Sequence, residues 1–536
     1  MKYLKTLPAF LIAASIVFIS SCDSFLVEEP LDQRVESNFY ETQQDAQEAL
    51  VAIYDVLQWN TVVGFHVPEM LSDIASDDAY AGGASRNDAP NIIEVDKHNI
   101  RTTNGEVHGL WQKYYTGIYR ANKYLQEINS LEIEQSFLDR TIAEAKFLRA
   151  YYYFDLVRFF QNVPLITEPL DNPDEYNQPQ ADPSDVYSQI AQDLIEAVPN
   201  LPITIPPNEQ GRISKWAGQA LLAKVYLYYS DVFGEDLTAG SQTVDRALAI
   251  TMIDSVITQS GHDLLPNYED NFKPDFEFSN ESVFEISYSD SRPWYDWGFI
   301  QGGEGNMAPQ MQGPRVDEPA NEDYQRGWSF SPVTNELVDA FDPNDPRLDA
   351  TVLFESELNG GLTVGYQHTG KFTQKYTTTK AYEPADGQLE LNWGNNYRVI
   401  RFSDALLMGA ELHLKNNNPT TAENYLNRVR LRVGLSTVPA TMENIKNERR
   451  VELALEGHRY WDLQRYGQQE AEQNISVQGE VKPGYQGLPI TQPSKDYSQF
   501  LKVRSIFQMV ISNRMRAITN PGLISQRIFI TEPISL

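Results

Sequence analysis

The sequence predicts a mostly α-helical protein: a degenerate tetratricopeptide-like helical-repeat scaffold carrying a loop-rich insertion with short β pieces. Three observations lead there. Apolar residues return at helical period in several segments up to about residue 260 and again over about 397–470. Two pairs of those segments read as helix, turn, helix, with Ala220, Ala223, Gly409 and Ala410 where helices must approach closely. Between the helical blocks, from about 264 to 396, the chain is rich in Gly, Pro, Asn, Trp and Tyr. Only brief stretches there, Val283 to Tyr288 and Phe372 to Thr378, are β-prone.

The elements follow in order. Lys2 and Lys5 precede an apolar run from Leu7 to Ile19, then Ser20, Ser21 and Cys22. A basic start, a run short for a bilayer and small residues before the cut describe a signal peptide over 1–21. The chain has one cysteine, and a lone thiol in an exported protein needs an explanation. Small residues directly before it resemble the lipobox of bacterial lipoproteins, so Cys22 is expected to be lipidated. Residues 22–40, with Asp23, Glu28 and Glu29, then form a tether to a single body spanning 41–536. In the body, 42–58 predicts a helix with Thr42 as N-cap and Asp45 in the reciprocal position. A second loop-rich segment, Ser72 to Gly109, carries Gly82 and Gly83 and few apolar positions. Residues 111–128 carry the stripe Trp111, Tyr114, Ile118, Ala121, Leu125, Ile128, and 142–159 carry Ile142, Ala145, Leu148, Tyr152, Leu156, Phe159. The pairs are 214–230 with 243–258 and 401–416 with 420–433.

Of the 536 residues, 41% are hydrophobic and 22% charged, and 43 Lys and Arg against 74 Asp and Glu leave a net charge of -31. That charge repels polyanions, so nucleic acid is excluded as a partner. The chain has no G-x-S-x-G, no phosphate-binding G-x-x-x-x-G-K-[ST] and no H-E-x-x-H. Its histidines are scattered without metal-ligand spacing, and no cofactor is called for. Gly303-Glu-Gly305-Asn-Met-Ala308 matches a dinucleotide fingerprint in letters only; followed at once by Pro309, it reads as a turn with no helix N-terminus behind it. Asp342-Pro-Asn344-Asp345-Pro346 resembles the start of a calcium loop, but proline holds a ligand position and no glycine follows. It leaves room for an isolated calcium ion without arguing for one.

The positive signal is aromatic. Trp294, Tyr295, Trp297 and Phe299, then Trp328 and Phe330, alternate with the amides Gln301, Asn306, Gln310 and Gln312. Flat rings beside amides suit a sugar, whose C–H face packs on the ring while its hydroxyls bond to the amides. The same cluster would serve equally as an apolar anchor for a long insertion. Pro293 and Gly298 around Trp294 and Trp297 favour an exposed platform. Tyr80, Asp78 and Arg86 in the first loop are further candidates, against a plain solvated loop.

NERRVELALEGHRYWDLQRYG, residues 447–467, places Glu448, Glu452 and Glu456 at intervals of four, on one face if the helix continues. Arg449, Arg450, Arg459 and Arg465 lie within two turns, and Asp462 to Arg465 has ion-pair spacing. The three glutamates are expected to be partnered rather than catalytic.

This stretch, with the lipobox, the repeats, GLWQKYYTGIYRANKYL, EAKFLRAYYYFDLVRFFQNVPLI and FDPNDPRLDA, resembles the SusD/RagB family of outer-membrane nutrient-binding lipoproteins of the Bacteroidota. The resemblance implies a non-catalytic, surface-exposed, lipid-anchored protein. Such a protein captures a glycan, or in some members a peptide, and delivers it to a SusC-like TonB-dependent outer-membrane transporter. It implies a structural part for the signature and leaves ligand residues unassigned. Trp294, Tyr295, Trp297, Trp328, Asn306, Gln301, Tyr80, Asp78 and Arg86 are therefore read from their own chemistry. Any two of the 74 acids could make a catalytic pair, so a surface glycosidase stays open as an alternative. The tail 501–536 departs from the family's ending: Asn520-Pro-Gly522 is followed by LISQRIFITEPISL, with Lys502, Arg504, Arg514, Arg516 and Arg527 against Glu532 alone. It reads as a divergent extension or a reading-frame product that packs poorly.

Overall fold

The computed structural model describes residues 40–61, 65, 67–295, 304–317 and 321–475. Cys22, the tether, Trp297, Phe299, Gln301 and the tail lie outside them.

Helix α1 (Gln43–Asp55) starts as its sequence predicts: Thr42 Oγ1 accepts from Asp45 N at 3.2 Å and Asp45 Oδ2 accepts from Thr42 N at 2.8 Å. The segment read as loop then contains two short helices, α2 (Pro68–Ala75) and α3 (Pro90–Asp96). Each begins with proline, which fits a first turn because the missing N–H has no helical partner there. Next come α4 (Gly105–Glu127), α5 (Gln135–Phe160), α6 (Pro183–Ala197) and α7 (Lys215–Phe233). The polar loop expected after α7 is a small hairpin, β1 (Leu237–Ala239) with β2 (Gln242–Val244), leading into α8 (Arg246–Gln259).

Each of these long helices packs on the next in the chain, α4 on α5, α5 on α6, α6 on α7 and α7 on α8. That neighbour-to-neighbour stacking defines a helical-repeat scaffold. The insertion leaves after α8, yet α8 packs directly on α12 (Phe402–Lys415), so the stack resumes across it and continues into α13 (Pro419–Arg432). Gly409 makes that closure feasible. A Cβ there would lie 2.9 Å from both Ile257 Cδ1 and Tyr425 Cδ2, so the three helices meet only around a bare Cα.

The insertion carries β3 (Ser282–Ile286), the one-turn helices α9 (Ala308–Gln312), α10 (Asn335–Val338) and α11 (Arg347–Thr351), and the strands β4 (Val352–Phe354), β5 (Lys371–Thr373) and β6 (Tyr397–Arg401). Its neck is an antiparallel ladder in which β3 pairs with β6, Ser282 opposite Arg401 and Ile286 opposite Tyr397. Strands β4 and β5 pair beside it. A second apolar cluster, Ala79, Val333, Leu337, Phe341, Val352, Val451, Ala454 and Leu455, docks the insertion on the signature segment.

That segment is interrupted around Gly457, a helix breaker within it, and Trp461 and Leu463 in the next helix are buried. Helix α14 (Met442–Glu452) ends at Glu452, and the chain turns through Leu455 (φ 58°) and Gly457 (φ 76°) into α15 (Arg459–Tyr466) and α16 (Gln468–Ile475). A Cβ on Gly457 would sit 2.7 Å from the Cα of Glu69, so glycine is required twice over, by conformation and by space. Glu456 therefore leaves the helix before it could stack above Glu452.

Candidate functional site

The three signature glutamates are buried, and the cations that neutralise them come from elsewhere than expected. Glu448 accepts from Arg347 Nη1 at 2.6 Å and Arg430 Nη1 at 2.7 Å. Glu452 accepts from Arg347, Arg401 and Arg432 at 2.6 to 2.9 Å. Glu456 binds Lys375 Nζ and Arg401 Nε, both at 2.7 Å. Burial alone would raise the Glu452 carboxyl, but the Arg432, Arg401 and Arg347 guanidiniums hold it well below the usual range. The segment's own arginines face outward to other partners: Arg449 to Asp404 and Asp462, Arg450 to Asp77 and Asp78, Arg459 to Asp77, and Arg465 to Glu411, Asp231 and Asp462. Glutamates with every oxygen engaged and none exposed do not act as general acids or bases; the cluster is a structural knot.

The cleft lies in the insertion. About 570 Å³ in volume, it is lined by the rings of Phe65, Trp328 and Phe330 and by Gln310, Arg315, Arg326, Asp88 and Glu390. That size suits a small ligand or part of a chain. The end of α9 builds one wall. Gln310 O accepts from Trp328 N at 2.9 Å, Gly313 O from Ser329 N at 2.9 Å, and Met311 O from Phe330 N at 2.8 Å. Between and after the two aromatics, Ser329 and Ser331 take φ of 58° and 57°, the left-handed region that costs a non-glycine residue about 1 kcal/mol or more. This strained alternation turns the chain so that Trp328 and Phe330 both border the cleft. The half-buried Trp328 ring then packs edge-on against Phe65, centroids 5.4 Å apart at 65°. Arg315 N donates to Ser329 Oγ at 3.0 Å, and Gly83 N to Ser329 O at 2.9 Å, tying the 82–89 loop to the same wall.

Of the predicted residues, Trp328 sits in this cleft. Tyr295 is 63% exposed, and its hydroxyl donates to Asp386 Oδ2 at 2.7 Å, which fixes an outward-facing ring. Trp294 is not the platform expected. Its N donates to Asn392 Oδ1 and its O accepts from Gln388 N, both at 2.7 Å, and the clamped ring packs against the main core. The same 388–392 turn supplies Leu389 and Glu390 to the cleft. Asn306 is fully buried, donating to Asn395 O and accepting from Ala308 N at 2.8 Å, and so fixes the entry to α9. A one-turn helix does follow the glycine pair, contrary to expectation, but all its residues are buried. Tyr80 and Asp78 are buried rather than solvated, Asp78 against Arg450 at 2.9 Å. Arg86 is exposed on the loop that gives Asp88 to the cleft. In the calcium-like loop, both Asp345 oxygens face Arg347, at 2.7 and 3.0 Å, so a cation there would have to displace a guanidinium.

Phe65, Asp88, Arg315, Arg326, Leu389 and Glu390 were not foreseen. They come from four separate stretches, and the backbone bonds that gather them leave no periodicity in the sequence. The one available signal was the pair of arginines in a strongly acidic chain.

A profile described as "SusD family" matches residues 280–505, and one described as "Starch-binding associating with outer membrane" matches residues 25–227. A SusD-like protein P25 from Formosa agariphila is 27% identical over 83% of this chain and 87% of its own length. Among solved structures, a laminarin-binding SusD-like protein is 37% identical, with a TM-score of 0.73, covering 83% of this chain and 95% of its own. Surface glycan-binding protein A from Bacteroides thetaiotaomicron, solved with laminarihexaose, is 29% identical with a TM-score of 0.73, covering 81% and 91%.

Proposed function

Because the chain belongs to the SusD family, we propose that it is a non-catalytic glycan receptor of the outer cell surface that captures oligosaccharides in the Trp328 cleft. It is anchored through a lipid on Cys22 and delivers its ligand to a SusC-like TonB-dependent transporter. The observation that carries the reading is the cleft itself: three rings and a mixed set of donors and acceptors, with Trp328 set by a strained backbone and by Phe65. Structural relatives named for laminarin and laminarihexaose make a β-glucan the first ligand to try. Stacking supplies only about 1 kcal/mol per ring, so affinity for short sugars is modest and grows with chain length. Tyr295, exposed and bonded to Asp386, would add a second contact for a longer ligand.

Among the described residues, the acids lining the cleft are Asp88 and Glu390. Each already accepts a hydrogen bond, Asp88 from Ala84 N at 2.7 Å and Glu390 from Gln388 Nε2, which favours capture over hydrolysis. No helix among the described residues is long and apolar enough to cross a membrane. Calorimetry with laminari-oligosaccharides, alongside peptides of similar length, tests the reading. Saturable sugar binding without release of shorter products is expected; binding of peptides only, or turnover of the sugar, would replace it with one of the two alternatives. Loss of membrane attachment in Cys22→Ser tests the anchor.

A further inference from the structure

The cationic side of the cleft goes further than sugar stacking requires. In a chain of charge -31, the buried arginines packed against the signature glutamates meet carboxylates at close range. Arg315 differs. Its Nε is buried and has no hydrogen-bond partner among the described residues. No carboxylate lies within ion-pair distance of it among them, although Asp88 and Glu390 line the same cleft, each with a donor of its own. Arg326 stands close by, with Nη1 donating to Val316 O at 3.0 Å, Nη2 to Thr363 Oγ1 at 3.2 Å, and Asp317 at 3.7 Å. Burial first, and then the neighbouring Arg326 charge, push the Arg315 pKa below its ordinary value, with Asp88 pulling it back.

Two guanidiniums that line one cleft repel one another. A sugar hydroxyl can accept a hydrogen bond from either, but it leaves that repulsion in place. An anionic oxygen group bound in the cleft relieves it and is the stronger acceptor for a guanidinium. Resting on the glycan reading of this cleft, we propose that Arg315 and Arg326 form an anion-recognising subsite, so that the captured glycan carries a carboxylate or sulfate substituent where it passes the arginine wall.

The test uses the purified chain with three oligosaccharides of equal length: an uncharged β-glucan, its sulfated counterpart and an oligouronate. At low salt, one or both charged ligands should bind roughly tenfold tighter than the uncharged one, and the advantage should shrink on going from about 50 to about 500 mM salt. Which charged arm wins identifies the group. Arg315→Gln should abolish the advantage together with its salt dependence, and Arg315→Lys should keep part of both. Equal affinity of the unaltered protein for charged and uncharged sugars overturns the subsite and leaves the glycan reading intact. Failure of all three ligands to bind removes the glycan reading, and this inference with it. The salt titration needs no variant, so a misfolded substitution cannot blunt the result.

Discussion

Two regions of the molecule use the same residue types to opposite ends. Under the signature, Glu281, Glu448, Glu452 and Glu456 are buried with both oxygens of every carboxylate receiving a donor from Arg347, Arg401, Arg430, Arg432 or Lys375. In the cleft, arginine, aspartate and glutamate line an opening of about 570 Å³, and one guanidinium nitrogen has no partner among the described residues. Where every charge is matched inside, the group builds the fold; beside the half-buried Trp328 the matching is incomplete.

The largest expected effect falls on the matched region. Glu452→Gln removes the charge on which Arg347, Arg401 and Arg432 converge, and breaking such a buried network costs about 3–5 kcal/mol. Loss of cooperative unfolding or of soluble expression is the expected result. A variant that melts like the parent would erase the distinction between the two regions.

A second test sharpens the contrast within the buried set. Glu69, beneath Gly457, borders a cavity of about 40 Å³ shared with Lys113, Asp155, Arg158, Lys224 and His458. Its Oε1 has no partner among the described residues, and burial, only partly offset by Lys113, pushes its carboxyl up to about 7. A folded-state value above the unfolded one means that the native protein holds this proton more tightly between about pH 4.5 and 7. Native stability from this group therefore rises as pH falls through that window. Glu69→Gln, neutral at every pH, lacks the gain. Thermal melts at pH 7.5 and 5 should show wild type improving relative to the variant by about 1–2 kcal/mol, and the difference cancels His458, whose buried ring, held near 3, acts in the opposite direction. A constant gap would mean that Glu69 is matched as well as Glu452 is.

In the cleft, Trp328→Ala should leave melting nearly unchanged and weaken oligosaccharide binding about tenfold, the equivalent of a stacking ring and its Phe65 contact. Unchanged affinity by calorimetry would move the site away from Trp328 without touching the family assignment.

What the sequence showed and what it hid follow the same divide. The stripes of 111–128 and 142–159 and the Thr42 cap were legible because helix periodicity and capping are local, and both stripes lie within helices. The pairing of β3 with β6 was not, since residues 282 and 401 meet only after the insertion has folded. That the glutamates are partnered was readable; their partners were not, because reasoning along one helix sees Arg449 and Arg450, whereas the cations arrive from α11, β6, α13 and the strand-flanking Lys375. Trp328 was legible only as one ring of an aromatic cluster interleaved with amides. Trp294 could not be told from it, because Asn392, which accepts from its backbone N–H, lies 98 residues away.

The smallest effect is also the one of unexpected sign. Ser331 is buried in a left-handed conformation at φ 57°, and its hydroxyl has no hydrogen-bond partner among the described residues. Both features cost stability, and neither serves packing. Ser331→Gly adopts the same backbone without steric penalty and removes the buried hydroxyl. Against this stands the greater entropy that glycine gives the unfolded chain, worth about 0.5–1 kcal/mol. The balance favours the variant by about 1 kcal/mol, visible as a higher denaturant midpoint with an unchanged slope. Freeing the turn that aims Phe330 and Trp328 should at the same time weaken sugar binding by a small factor. Stabilisation with weakened binding would show that the strain is maintained for the ligand; destabilisation would mean that the hydroxyl serves the frame after all, and that the cleft wall is built on the same terms as the knot of charges beneath the signature.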